Sequence, residues 1–396
     1  MREAATITEG EDKDPTKGVM MHADTPLAGR LMLDMTQGIA GPYCGRLMAE
    51  HGARVIKVEP PGGDWVRQIG GGPQGQSVNY LYYNLGKESI ELDLKTPEAV
   101  ALVKRIAAKA DVVAESARPG ATERLGLGYE AIRAVNPGVI YLSVSGFGQE
   151  GPRGRDPMTD TIAQAFSGMM SVNHGVDGIP HKIHTTIVDA ITGLYAYQQV
   201  TMALMAQQTG QGGGQGGGRH IDVSLMQAAA AIMAPKVMEF AHYGETPASP
   251  NAPAGSYPTA DGWIAITLVR EAHFPAIAQA IGRPDLAEEP KYATFATRLE
   301  NLAPLMAEIS EATRQKTTAE WTGTFEEAGV LASPIHTFGD WLAAPQVVAT
   351  QGAPLVQVSD GIQSPAPRSP GRAPMEGPAP AIGQHAAAIM EEFSGA

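Results

Sequence analysis

Between residues 30 and 150, short apolar runs alternate with amphipathic segments, and this alternation is the main structural signal in the chain. The apolar runs predict β-strands at 31–34, 54–58, 89–92, 111–114 and 139–144. Helical patterns separate several of them, at 43–51, 97–108 and 129–135. Such β-α alternation is typical of a mostly parallel sheet covered by helices on both faces. The sequence therefore predicts an α/β fold.

The pattern changes in the second half of the chain. A longer helix is predicted over 189–208, followed by a glycine-rich surface turn at 211–218. Pro247 to Pro258 is interpreted as a linker or flap, and 263–268 as a strand of a second, smaller α/β domain. The Pro-rich run 365–380 predicts an extended strap. The expected division is a disordered extension at 1–26, a large domain at 27–225, a linker helix and small domain at 226–330, and a segment at 331–396 that returns to the large domain.

Composition narrows the classes of partner. The chain has 396 residues, of which 43% are apolar and 18% charged, as in ordinary globular proteins. Its net charge of -13 argues against nucleic acid or an anionic membrane as the main partner, but leaves a small anionic ligand open. Cys44 is the single cysteine, which excludes an intrachain disulfide and a cysteine-based zinc site. With neither a signal-like N-terminus nor a long apolar run, the cytoplasm is the expected location.

Candidate chemistry begins with Asp189, which stands at the head of the predicted helix. Its spacing alone favours a helix cap over a nucleophile, because Asp is a preferred N-cap residue. The segment from Gly38 to Gly45 departs from the dinucleotide-binding glycine pattern, and Pro42 interrupts its turn. His174, His181 and His184 lie close in sequence without a carboxylate at a familiar ligand spacing, so no metal site is predicted.

Five basic residues fall at predicted strand ends and loops: Arg67, Lys87, Lys95, Arg118 and Arg124. Each taken singly is most simply a solvated surface charge. If several lie at successive loops along one edge of the sheet, however, they would form a site for phosphate groups.

Taken in order, the local motifs resemble the class III CoA-transferases of the formyl-CoA transferase type over about residues 30 to 390. The matching segments include LDMT at 33–36, AGP at 40–42, GARVIKVEP at 52–60, GD at 63–64, NLGKES at 84–89, LDLK at 92–95, RPG at 118–120, SGFG at 145–148, DTIAQA at 160–165 and PAPAIG at 378–383. Because so many segments match in the same order, the resemblance is specific.

The resemblance implies an enzyme that moves CoA from an acyl-CoA thioester to a free carboxylic acid. Asp189, with Thr192 and Gly193 behind it, matches the family's nucleophile, which carries the acyl group as an aspartyl anhydride and CoA as an aspartyl thioester. A helix N-terminus is expected to keep Asp189 ionised. Asp160 matches an acidic residue that supports it. CoA is the cosubstrate, no tightly bound cofactor is expected, and the matching CoA contacts are Gly38, Ile39, Leu92, Lys95 and Arg124.

The resemblance also implies a Rossmann-like large domain and a homodimer of two interlocked, ring-like subunits. Two other functions stay open, an α-methylacyl-CoA racemase and a non-catalytic CoA-binding protein. The racemases carry His just before the acidic residue, where this chain has Thr159. Ser116 and Ala117 replace the family's usual Asn and aromatic pair, and the stretch 251–257 holds only Gly255 where formyl-CoA transferases have a glycine-rich flap. The flap difference argues against oxalate and formate as substrates.

Overall fold

A computed structural model of the chain describes residues 25–173, 178–211, 217–244 and 251–395. Its internal contacts divide it into two compact units. The first comprises the chain up to Pro235 together with the part from Ala349 onward, and the second comprises Lys236–Val348. Most of the predicted N-terminal extension, the middle of the glycine-rich turn and His174 lie outside the described residues.

A six-stranded sheet forms the centre of the first unit. Its strands are β1 (Leu31–Met35), β2 (Arg54–Glu59), β3 (Glu88–Glu91), β4 (Val112–Glu115), β5 (Ile140–Ser145) and β6 (Arg219–Ser224). They lie in the order β3-β2-β1-β4-β5-β6, and every neighbouring pair is parallel. The predicted α/β fold with a parallel sheet is confirmed. The order reverses direction between β1 and β4, and ligands of such sheets bind beyond the carboxyl ends of the strands at this reversal.

Helices cover both faces of this sheet. The helices of this unit are α1 (Ala40–Glu50), α2 (Val78–Tyr83), α3 (Pro97–Ala107), α4 (Ala121–Arg124), α5 (Tyr129–Val135), α6 (Asp160–Phe166), α7 (Ile187–Gln208) and α8 (Leu225–Ile232). The next helix, α9 (Ala234–Tyr243), belongs for most of its length to the second unit. Neighbouring strand residues face opposite cores, as the alternation of a strand requires. Met32 packs in one core with α1 and α7, whereas Leu33 packs in the other with α3 and α5.

The second unit is built on an antiparallel sheet of β7 (Gly255–Pro258), β8 (Trp263–Thr267) and β9 (Leu331–Pro334). Its helices are α10 (His273–Ala280), α11 (Asp285–Glu288), α12 (Phe295–Glu300), α13 (Leu302–Thr313), α14 (Thr318–Glu327), α15 (Phe338–Ala343) and α16 (Pro345–Ala349). Tyr257, Phe274 and Trp321 are buried in its core. The interpretation of residues up to 258 as a linker or flap is therefore wrong at its end, because β7 pairs along its length with β8.

The end of the chain belongs to the first unit. It contains the hairpin of β10 (Leu355–Ser359) and β11 (Ile362–Pro365), a long irregular stretch and α17 (Ala386–Glu392). Ile389 and Phe393 complete the core beneath α3 and α5. Across the described segments, every helix is too short or too polar to cross a lipid bilayer.

Candidate active site

A cavity of about 350 Å³ opens at the carboxyl edge of the parallel sheet, where the strand order reverses. Residues that follow β1, β4, β5 and β6 line it, and Asp189 reaches it from α7. Its lining is Met35, Gln37, Gly38, Ile39, Ala40, Gly41, Trp65, Ser116, Ala117, Val144, Ser145, Gly146, Met158, Thr159, Asp189 and Leu225. Three residues predicted from the sequence, namely Gly38, Ile39 and Asp189, thus share one cavity.

Asp189 lies in the first turn of α7, but it is not the residue that caps the helix. The helix begins at Ile187, and Thr186 occupies the N-cap position without a capping side-chain hydrogen bond. The interpretation of Asp189 as an N-cap is therefore wrong. Its carboxylate is partly exposed and faces the cavity, so the side chain is free to meet a ligand.

Asp160 supplies the cap that Thr186 does not. Its Oδ2 accepts hydrogen bonds from the backbone N–H of Val188 at 2.7 Å and of Asp189 at 3.1 Å. Its Oδ1 accepts one at 2.6 Å from Nε2 of Gln164, which lies four residues further along α6. Gln164 in turn accepts the N–H of Ile183 at 2.8 Å. The pair Asp160 and Gln164 therefore fixes both the approach to α7 and its first turn.

This arrangement corrects the expectation that the helix terminus keeps Asp189 ionised. Burial and, secondly, the negative charge of Asp160 raise the pKa of Asp189 from 3.8 to about 7. The helix offers few free N–H groups at its start, and two of them already bind Asp160. The terminus therefore stabilises the charge of Asp160, while Asp189 bears the cost of burial.

Gly193 allows α7 to lie directly on the first turn of α1. A Cβ atom at this position would lie 2.7 Å from the carbonyl oxygen of Ala40 and 2.8 Å from Cβ of Tyr43. Thr192 beside it donates a hydrogen bond at 2.7 Å to the carbonyl of Val188 and is fully buried. Thr192 and Gly193 therefore seat the first turn of α7 against the loop that lines the cavity, which gives them a physical role beside Asp189.

Beneath that loop lies a cluster of buried charges. Nζ of Lys87 is 2.8 Å from Oδ2 of Asp34, and Nζ of Lys57 is 2.9 Å from Oδ2 of Asp64. Lys57 also donates at 2.8 Å to the carbonyl of Thr36. The charges of Lys87 and Lys57 outweigh burial and lower the pKa of Asp34 to about 2. Buried ions need such partners. Here the contact of Lys57, in β2, with the carbonyl of Thr36 links the carboxyl ends of β1 and β2.

This cluster extends to the wall of the cavity. Both carboxylate oxygens of Asp64 accept the N–H of Gly38, at 3.1 and 3.2 Å, and Oδ1 also accepts the N–H of Val66 at 3.1 Å. Gly38 has a φ of +82°, and a Cβ atom there would lie 2.7 Å from Cζ2 of Trp65. Only glycine combines that backbone conformation with contact to the indole.

Two of the five basic residues are therefore not available to phosphates. Lys87 is 3% exposed and paired with Asp34, and Arg67 is paired with Glu59 at 2.7 Å and lies over the ring of Tyr80. For these two residues the predicted phosphate role is wrong. Each contacts a buried carboxylate, which neither the surface interpretation nor the phosphate interpretation foresaw.

The other predicted contacts lie at the same edge of the sheet but outside the cavity. Leu92 follows β3 directly and is buried, whereas Lys95 is exposed on the next turn, where its backbone N–H binds Asp93. Arg124 ends the short helix α4 that follows β4, and it is exposed. Among the described residues, no three side chains of the kind that bind metals come together.

Sequence reasoning missed several residues that line the cavity, among them Gln37 and Trp65. Gln37 is exposed, and its backbone N–H donates at 2.9 Å to Oγ of Ser116, which joins the loops after β1 and β4. Trp65 is 51% exposed although it is large and apolar. The buried charges beneath this loop did have a signal in the sequence: Lys57 stands within the apolar strand β2, and a charge in a central parallel strand requires a partner. Nothing in the sequence signalled Gln37.

Comparison with known proteins places these features in context. The family model described as CoA-transferase family III matches residues 27–386. The succinate–glutarate CoA-transferase of Agrobacterium fabrum is 34% identical and aligns with 94% of this chain and 97% of its own length. The succinyl-CoA–D-citramalate CoA-transferase of Chloroflexus aurantiacus is 36% identical, with 93% of this chain and 94% of that protein aligned.

A solved structure has the same fold as this chain. The crystal structure of a CAIB/BAIF family protein from Brucella suis superimposes with a TM-score of 0.80 and 32% identity. The superposition covers 93% of this chain and all of that one.

Proposed function

The chain belongs to CoA-transferase family III and is an enzyme that moves CoA from an acyl-CoA to a free carboxylic acid; we propose that it does so by covalent catalysis at Asp189. The observation that carries this proposal is the position of Asp189. Its carboxylate lies in the first turn of α7 and faces the cavity at the reversal of strand order. Among the residues that the structure describes, no other carboxylate lines this cavity.

The reaction divides into two exchanges at one side chain. The ionised Asp189 attacks the thioester carbonyl, the C–S bond breaks, and the products are an aspartyl anhydride and CoA thiolate. The thiolate then attacks the aspartyl carbonyl carbon, which releases the donor acid and leaves an aspartyl-CoA thioester. An acceptor carboxylate repeats both steps in reverse and restores the free carboxylate. Each step is easier than a direct exchange between acid and thioester.

The start of α1 is suited to stabilise the oxyanions that form in these steps. Ala40 and Gly41 line the cavity and occupy the first turn of the helix. Amide groups at a helix start have no partner within the helix, and they favour negative charge nearby. Fixed donors of this kind lower the barrier when they face the developing charge. The contact that Gly193 permits holds α7, and with it Asp189, beside them.

We extend the proposal to the path of CoA. Gly38 and Ile39 contact the pantetheine end beside Asp189, since they line its cavity. Leu92 and Lys95 contact the adenosine, and Arg124 a phosphate; Leu92 and Lys95 follow β3, and Arg124 ends the helix α4 that follows β4, so all three lie beyond the same edge of the sheet. Ser116 and Ala117, which also line the cavity, leave room where the family's aromatic residue is absent.

For the acids themselves, short dicarboxylic acids are the proposed class. The two relatives above are named for succinate with glutarate and for citramalate. The polar side chains beside Asp189 are uncharged: Gln37, Ser116, Ser145 and Thr159. A second carboxylate in this part of the site would therefore be bound by neutral hydrogen-bond donors rather than by an ion pair.

Thr159 argues against the racemase alternative. It lines the cavity at the N-cap of α6, directly before Asp160. A hydroxyl group cannot exchange a proton with a carbon acid near neutral pH, so one of the two acid-base groups that racemisation needs is missing at this position.

A homodimer is also part of the proposal, and exposed apolar residues support it. On α9, Val237, Met238 and Phe240 are each more than half exposed. A patch of this kind is typical of a protein–protein interface. Native mass spectrometry should give twice the chain mass of 41.6 kDa; a monomer at micromolar concentration would contradict this part.

The central experiment traps the enzyme during exchange. Succinyl-CoA is mixed with glutarate, with citramalate and with butyrate, acyl exchange is followed by mass spectrometry, and the enzyme is reduced with borohydride and digested. We expect modification at Asp189 and no exchange by Asp189→Asn. Glu98→Gln is the matched control, because Glu98 is also an acid in the first turn of a helix, but on an exposed part of α3. Exchange by Asp189→Asn, or deuterium uptake at the α-carbon without exchange, would refute the proposal.

A further inference from the structure

Two arginine side chains outside the Asp189 cavity approach the same glycine. Gly120 follows β4 and has a φ of +84°. A Cβ atom at Gly120 would lie 3.3 Å from Nη1 of Arg124 and 4.0 Å from Nη2 of Arg155. Arg124 ends α4, whereas Arg155 comes from the loop between β5 and α6. The end of α4 and the loop after β5 therefore each bring a guanidinium group close to Gly120.

These two guanidinium groups are not neutralised within the part of the chain that the structure describes. No ion pair or side-chain hydrogen bond joins either of them to a carboxylate there, although Glu123 and Glu150 border the adjacent cavity. Arg153, two residues from Arg155, differs: it is 2.8 Å from Asp156 and lies over the rings of Phe147 and Phe166. Like charges that converge without a partner are unfavourable, and an anion relieves the repulsion.

The position of the pair relative to Asp189 identifies the anion. The loop after β4 lines the Asp189 cavity with Ser116 and Ala117, and a second cavity of about 420 Å³ with Pro119 and Gly120. The loop after β5 does the same, lining the first cavity at Gly146 and the second with residues 149–152, 154 and 155. The same two loops therefore line both cavities. A long ligand with its thioester at Asp189 could place its far end in the second cavity by following these two loops.

We propose that Arg155 binds a phosphate group of CoA together with Arg124. The inference rests on the proposed function, because CoA must first lie with its sulfur at Asp189. Arg155 contributes affinity for the nucleotide half of CoA and takes no part in acyl transfer. Gly120 lies beside both side chains, and its φ of +84° is a backbone conformation that favours glycine.

The test measures binding of free CoA, so that it does not depend on turnover or on the identity of the acids. Isothermal titration is carried out with CoA, dephospho-CoA and pantetheine on the full chain and on Arg155→Gln. Loss of one charge-assisted hydrogen bond should weaken CoA binding about tenfold, with pantetheine unaffected. Arg153→Gln is the matched control and should leave CoA binding within about twofold, since exposed ion pairs contribute little.

The three ligands also separate the phosphates. If Arg155→Gln weakens CoA but not dephospho-CoA, the 3′-phosphate is the partner; if it weakens both, the diphosphate is. Unchanged CoA binding, or an equal loss with pantetheine, would overturn the inference. Failure here would leave acylation of Asp189 intact, and failure to trap an adduct at Asp189 would leave the phosphate contact intact, so the two proposals fail separately.

Discussion

Replacing Asp189 by Asn should make the protein more stable while abolishing CoA transfer. The native state raises the pKa of Asp189 to about 7, mainly through burial and then through the charge of Asp160. A raised pKa means that the native state binds a proton more tightly than the unfolded chain does. The contribution of Asp189 to stability is therefore complete below its ordinary pKa of 3.8 and is lost as the pH rises through the folded value of about 7. Asparagine does not titrate and escapes this loss.

The size of the effect follows from the shift. Each pKa unit corresponds to about 1.4 kcal/mol, so raising the pKa of Asp189 from 3.8 to about 7 lowers the free energy of unfolding by about 4 kcal/mol above pH 7. At pH 5 part of this cost is already present, because the unfolded carboxyl has ionised while the native one has not. Between pH 5 and pH 8 the stability advantage of the variant should therefore grow by about 2 to 3 kcal/mol. Partial exposure of Asp189 to solvent makes the lower figure the better expectation.

Urea unfolding of wild type and Asp189→Asn at pH 5, 6, 7 and 8 measures this difference. All other titrating groups are common to the two proteins, so the change of this stability difference with pH reports the ionisation of Asp189, and any pH-independent effect of the amide cancels. Asp93→Asn, an exposed carboxylate on the turn after β3, serves as the control. A stability difference that stays constant from pH 5 to pH 8, or that shrinks, would refute the reasoning about burial and Asp160.

Three further predictions concern the same site. Only the ionised form of Asp189 attacks, so kcat/KM for the acyl-CoA should rise with pH and level off above about 7; a profile flat from pH 5 to pH 8 would contradict this. Asp160→Asn removes the negative charge that helps raise the pKa of Asp189, so the same profile should move to lower pH, and an unmoved midpoint would show that the charge is not felt. Gly193→Ala places a methyl group 2.7 Å from a carbonyl oxygen of α1 and should destabilise by about 1 to 3 kcal/mol in urea. Gly323→Ala, in a helix with nothing within 4 Å of the added atom, should not destabilise; equal losses in the two variants would contradict the packing argument.

The sheet could be predicted from the sequence because its signal is local. Each buried strand is a short apolar run, and turn residues separate it from the next helix. The strand order could not be deduced in this way, since it depends on which helix packs on which face. The strand β7 was missed for a similar reason. Gly255 to Pro258 is poor in the residues that favour strands, and it becomes a strand only because β8 lies beside it.

The site shows the same division between local and long-range information. Asp189 was found because matching motifs surround it, whereas its spacing alone indicated a helix cap. The true cap, Asp160, lies 29 residues earlier in the chain, and no local pattern connects the two. Lys87 was misjudged because its partner Asp34 lies 53 residues away. Charges whose partners are distant in sequence are the residues for which sequence reasoning fails most readily.

The carboxylates of Asp160 and Asp189 both lie at the start of α7, where either could accept hydrogen bonds from the unpaired N–H groups of the helix. The helix has a limited number of unpaired N–H groups, and Asp160 uses those of Val188 and Asp189. Had Asp189 taken them itself, its pKa would fall and its carboxylate would be stable but weakly nucleophilic. Because Asp160 caps the helix instead, the pKa of Asp189 stays high. A carboxylate of higher pKa is the better nucleophile once it is ionised. With a pKa near 7, close to half of the enzyme holds that reactive form at neutral pH. The capping by Asp160 is therefore not only structural support: it allows Asp189 to be reactive instead of stabilised.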